Sequence, residues 1–98
     1  MIKHVVCFKL KDNSNKAKEE AKKVLLGMKG NVPSIVDIAV GTDFLGSERS
    51  YDVILEVVLK DKQMLDVYQQ DKYHCEVVKS YMHTHRVSSV AIDYEMDE

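Results

Sequence analysis

The run YDVILEVVLK, residues 51–60, constrains this chain more than any other stretch. Its pattern has the period of a strand, in which successive side chains point to opposite faces. Tyr51, Val53, Leu55, Val57 and Leu59 share one face, and all are apolar. The other face carries Asp52, Ile54, Glu56, Val58 and Lys60, so it too is half apolar. A strand apolar on both sides belongs to a sheet that must be covered on both sides. The chain has 98 residues, enough for one small domain spanning 1–98.

Periodicity supplies the other elements. Residues 2–11 alternate as a strand, with Ile2, His4, Val6, Phe8 and Leu10 on one face and Lys3, Val5, Cys7, Lys9 and Lys11 on the other. DNSN breaks that pattern, and Asn13 or Ser14 can cap a helix. Ala17, Ala21, Val24, Leu25 and Met28 then recur at helical spacing, which predicts a helix to about Lys29, ended by Gly30 with Pro33 beyond it. Residues 34–41, SIVDIAVG, read as a second strand, and TDFLGSERS as the connection to the third. Asp61 caps a short helix with Met64, Leu65 and Tyr68 on one stripe. A second helical stretch carries Val77, Val78 and Tyr81, and residues 86–95 close the chain as a strand with Val90, Ile92 and Tyr94 on one face.

The order β-α-β-β-α-β is the ferredoxin-like α+β arrangement, a four-stranded antiparallel sheet with both helices on one face. Nothing is left in the chain to cover the other face, where Val5 and Cys7 fall. An apolar face of that size marks an interface, and its expected cover is a second copy packed sheet to sheet about a two-fold axis.

Composition excludes several classes. The apolar fraction of 45% argues against disorder. Fourteen basic residues are spread along a chain of net charge −2, with no basic stripe and no Trp, so no nucleic-acid partner is expected. MIKHVVCFKLKD has no small-residue cleavage site and its apolar run is interrupted by charges, unlike a secretory signal. Cys7 and Cys75 then read as free thiols in a reducing compartment. No window approaches the ~20 apolar residues of a membrane span. The expectation is a cytoplasmic protein with no membrane partner.

IKHVVCFKLKD, VDIAVG, SYDVILEV, YQQDKYH and the terminal DYE, in that order, resemble the stress-responsive dimeric α/β-barrel (Dabb) family over almost the whole chain. The resemblance implies a homodimeric α+β barrel of two ferredoxin-like subunits. The family's usual form of the YQQDKYH stretch is Tyr-x-x-His-Pro-x-His. Tyr68 and His74 match its ends, while Asp71 and Lys72 stand in the places of the first His and the Pro. Members that cyclise plant polyketides resemble this chain at His4, Tyr68 and His74, and the resemblance implies a cavity between sheet and helices with His74 as its acid/base. Those members also carry a tyrosine in the first helix, where this chain has Leu26.

Tyr68 and His74 are separated by six positions, which on a straight helix places them about 120° apart. A break at QDK lets both face one pocket, and His4 lies on the helix side of the first strand. His4, Tyr68 and His74 are therefore the candidate catalytic set: His74 as general base, a second His assisting, and Tyr68 as hydrogen-bond donor. Such a set suits proton abstraction beside a carbonyl on a small apolar or aromatic ligand, with no cofactor. The bland reading puts His4 in a hydrogen-bonded strand-end position and His74 at the surface. It leaves a non-catalytic homodimer whose core is filled by Val24, Met28, Met64 and Leu65. His83 and His85, in MHTHR, together with His74 and Cys75 would be the ligands of a zinc or nickel site. Their spacing matches no established site, so the stretch reads as a solvated turn and no metal is expected. Cys75 directly follows His74 and points about 100° away on a helix, which rules against a Cys–His pair.

Overall fold

The computed structural model describes residues 1–97. Its elements are β1 (Ile2–Leu10), α1 (Asn15–Leu26), β2 (Ile35–Thr42), β3 (Val53–Leu59), α2 (Lys62–Gln70), a π-helical segment (His74–Lys79), α3 (Ser80–His85) and β4 (Arg86–Glu95). The strands form one antiparallel sheet in the order β2-β3-β1-β4, with β3 and β1 in the middle. This is the ferredoxin-like topology, with the second helical arm in three pieces rather than two.

The register explains why one face is dry. Ile2, His4, Val6 and Phe8 stand opposite Leu59, Val57, Leu55 and Val53, the last four of which are at most 3% exposed. Ala21, Leu25, Met28 and Met82 complete the core above them. His4 therefore interrupts an otherwise apolar ladder at its centre. On the opposite face, Val5 pairs with Ile92 and Cys7 with both Ile54 and Val90. That face is left open, with Ile92 66% exposed. None of the described helices is long and apolar enough to cross a membrane.

Three local expectations change. First, α1 begins as predicted, with the Ser14 hydroxyl accepting the Ala17 N–H, but ends at Leu26 rather than near Lys29. Beyond it the bonds tighten to three-residue spacing, from Met28 N–H to the Leu25 carbonyl and from Lys29 N–H to the Leu26 carbonyl. Gly30 then turns the chain at φ +83°, a conformation that favours glycine. Second, Tyr51 does not share the face of Val53. The strand starts at Val53, Asp52 is buried with its carboxylate accepting the Leu10 N–H at 2.7 Å, and the Tyr51 ring lies 5.5 Å from the Lys9 ammonium. Third, MHTHR is not a turn: its first four residues are helical and Arg86 already begins β4. His83 and His85 lie in the last turn of α3, and the His85 ring stacks on Tyr81 at 4.0 Å while its Nδ1–H donates to the Tyr81 carbonyl.

Candidate functional site

Asp71 builds the site. Its backbone N–H donates to the Tyr68 carbonyl and closes α2, and its own conformation is extended at φ −59°, ψ 135°. Its carboxylate then accepts the His74 N–H at 3.1 Å, and its carbonyl accepts the Cys75 N–H at 2.9 Å. One residue thus ends one helix and caps the next, the use to which aspartate is suited at helix N-termini. Cys75 helps from the other side: its thiol donates to the Gln69 carbonyl, one of the groups that the end of α2 leaves unpaired. The break falls within QDK as the sequence predicts. The π-helical segment that follows carries His74 and Val78 inward, and Met82 of α3 continues that inward row. π-helical turns are rare and recur at functional sites.

The break brings the three candidates together. Tyr68 is fully buried, His4 is 6% exposed and His74 is 7% exposed. The Tyr68 and His74 rings lie 4.4 Å apart, and the His4 ring meets Tyr68 edge-on at 5.5 Å. His74 is therefore not a surface residue. All three line one cavity of about 240 Å³, walled also by Phe8, Leu25 and Val78. The residues expected to fill this space sit elsewhere: Val24, Met28, Met64 and Leu65 do not line the cavity, which opens instead beneath the π-helical segment and α3. Leu26 does not line it either; Leu25 does. A hollow of about 340 Å³, lined by Cys7, Tyr51 and Ile54 and by none of the three candidates, exceeds this cavity. Two still larger hollows, of about 700 and 650 Å³, lie around Lys62 and Glu95 at one end of the sheet. They are broad surface grooves, lined by the exposed Lys62–Glu95 ion pair, and contain none of the three candidates.

The electrostatics differ at each corner. His4 Nδ1 is hydrogen-bonded to the Asp93 carboxylate. A carboxylate only accepts, so Nδ1 carries the proton and a neutral His4 keeps Nε2 as its acceptor. Asp93 faces His4 directly across the β1–β4 ladder and its side chain is 42% exposed. Burial pushes the His74 pKa down to about 4, with the Lys79 charge acting in the same direction and the Gln69 carbonyl opposing it. His74 Nδ1 is buried without a hydrogen-bond partner among the described residues. An unpartnered buried polar atom costs about 1–3 kcal/mol, so it invites a ligand or a water. Burial, then the Asp71 charge, raises the Tyr68 pKa well above the usual tyrosine range. The phenol stays protonated and donates to Met28 Sδ at 3.7 Å, a weak acceptor.

Asp93 is the site residue that sequence reasoning passed over. Its signal was present: with Ile92 and Tyr94 on the open face, alternation puts Asp93 on the helix face, and β4 is the neighbour of β1 in this topology. No group of three or more His, Cys, Asp or Glu side chains among the described residues stands close enough to hold a metal ion.

The family model described as the stress responsive A/B barrel domain matches residues 2–96. No protein among those with curated descriptions matches the chain. Among solved structures, a protein of Arabidopsis thaliana is 21% identical, with a TM-score of 0.84 over 100% of this chain and 97% of that one. A dimeric protein of unknown function and ferredoxin-like fold from Bacteroides fragilis is 20% identical, with a TM-score of 0.79 over 97% of this chain and 95% of that one. A Dabb family protein with a ferredoxin-like fold from Mesorhizobium loti is 18% identical, with a TM-score of 0.75 over 99% of this chain and 97% of that one.

Proposed function

The chain belongs to the stress-responsive A/B barrel domain family, and from that premise we propose that it binds a small apolar or aromatic molecule in the His4–Tyr68–His74 cavity and performs cofactor-free acid/base chemistry on it. One observation carries this reading: three polar aromatic side chains, each over nine-tenths buried, line a single cavity, and one of them has an unpartnered nitrogen.

The proton chemistry follows from the site. His74 is neutral above about pH 4, with Nδ1 free to take a proton. So weak a base removes only a proton already acidified, such as one on a carbon between two carbonyls. The C–H electron pair moves into the carbonyl, and the resulting enolate oxygen receives a hydrogen bond from Tyr68, whose present acceptor is a thioether. His4, held in one tautomer by Asp93, is the second proton acceptor. Tautomerisation of a 1,3-dicarbonyl, or the aldol closure that such an enolate permits, is the class of reaction.

The open sheet face supports a homodimer, as does the dimeric relative from Bacteroides fragilis. We take residues 1–98 as one domain and place it in the cytoplasm, a reading supported by its two free thiols. A second reading keeps the homodimer and drops the chemistry. It is supported by the cavity falling short of the ~300 Å³ at which ligand pockets begin.

The enol-to-keto conversion of benzoylacetone, followed by ultraviolet absorbance, separates the two readings. Acceleration over buffer that is lost in His74→Ala and in His4→Ala is the expected result. No acceleration by the wild-type protein overturns the catalytic reading.

A further inference from the structure

The cavity has a polarity along its length that the proton chemistry does not use. Its deep end is the His4, Tyr68 and His74 cluster. Its outer end is lined by Lys79 and Arg86, both partly exposed, with His83 beside them fully at the surface. The chain has 16 acidic residues against 14 basic ones, yet none of the acidic residues lines this cavity among the described residues. Neither Lys79 nor Arg86 has an ion-pair partner among the described residues. The rest of the lining is mostly apolar, with Val6, Phe8, Leu55 and Met82 in it and Gln69 and Ser89 as its polar members.

Unpaired cations at a mouth whose lining has no acid attract anions, and partial burial screens them less than open surface does. From this we propose that the ligand is an amphipathic carboxylate: its apolar body lies against the walls, and its carboxylate is held at the mouth by Lys79 and Arg86. Arg86 offers the planar fork that matches a carboxylate, and Lys79 adds a point charge. The volume of about 240 Å³ equals roughly eight waters at ~30 Å³ each, which admits one aromatic ring with a short chain. The His74 ring, neutral at pH 7, does not supply the charge preference. This inference rests on the pocket reading above and specifies its substrate class.

A matched pair of probes tests it. 3-Phenylpropanoate and 3-phenylpropanamide have the same body and differ in charge. Their dissociation constants are measured by protein-observed NMR at pH 7, in 20 mM and 300 mM salt. The acid should bind about tenfold more tightly than the amide at low salt, and salt should narrow the gap. The double variant Lys79→Gln/Arg86→Gln, both changes at partly exposed positions, should bind acid and amide equally while its amide affinity stays at the wild-type value. Equal binding of the two probes by the wild-type protein overturns the carboxylate preference and leaves the pocket reading standing. A preference that survives in the double variant overturns the placing of the carboxylate against Lys79 and Arg86. Failure of both probes to bind overturns the pocket reading and the preference with it.

Discussion

The two helical arms over the sheet start from similar material and end differently. In α1, twelve residues form one uninterrupted helix with a hydroxyl cap and an inward stripe of Ala21 and Leu25. The second arm is cut at Asp71, restarted, widened to a π-helical segment, and narrowed again into α3. The first arm buries only apolar groups. The second brings Tyr68 and His74 against His4 and leaves a cavity. Regular helix gives tight apolar cover; the interruption turns polar side chains inward, where covering alone would not place them. Local helix rules hold in the first arm and yield in the second, where polar groups are turned inward.

The sharpest way to break this comparison is to damage the regular arm. Leu25→Ala removes a fully buried side chain from α1 and should cost about 2–5 kcal/mol in urea denaturation, among the largest effects available. The His74 ring should give the next largest. Its pKa is about 4 when folded against 6.5 when exposed, so the unfolded chain binds the extra proton between those values. Stability should therefore be constant above about pH 6.5 and fall as pH drops toward 4, by about 2–3 kcal/mol at most. Burial sets this first; the Lys79 and His4 charges act with it, and the Gln69 carbonyl and the Asp71 carboxylate act against it. In His74→Gln the pH slope across that window should flatten; an unchanged slope assigns it to other groups.

Two caps sharpen the comparison most finely. Ser14→Ala and Asp71→Ala each remove one side-chain acceptor from a helix start, and each should cost about 1 kcal/mol. Their effects on the cavity should differ. Ser14→Ala should leave probe affinity unchanged, whereas Asp71→Ala frees the break that turns His74 inward and should weaken 3-phenylpropanamide binding about three- to tenfold, by general estimates for loss of positioning. Equal affinity in both variants would mean that the break does not hold the site. Smallest of all, Gly27→Ala should change stability by less than about 1 kcal/mol. An added Cβ there would stand 2.8 Å from the Tyr73 hydroxyl, the end of a side chain that can move, and 3.1 Å from the Val24 carbonyl oxygen of the preceding turn.

The sheet was readable because alternation is a strict rule. The inward sets on β1 and, from Val53 on, β3 are those expected, down to His4 in the middle of the apolar row, and the open face carries Val5 and Cys7 as expected, with Ile92 and Val90 of β4 beside them. The break at Asp71 was readable too, from the angle between Tyr68 and His74. Tyr51 was misplaced because the strand, and with it the alternation, begins only at Val53: just before it Asp52 turns inward to the Leu10 N–H. The π-helical segment left no trace, since HCEVVK satisfies a helical pattern at either spacing. Asp93 was missed because a partner across a ladder is visible only once register is fixed. That the cavity opens beneath Val78 and Met82, away from Met28 and Met64, is a matter of packing, which periodicity does not carry.

The titration of the His74 imidazole, followed by NMR of its ring resonances from pH 3 to 8, tests the central claim most directly. A ring turned inward by the break, packed on Tyr68 and away from water, should titrate near pH 4. A midpoint near 6.5 would place the ring in water, and the second arm would then be a covering helix like the first, with no site beneath it.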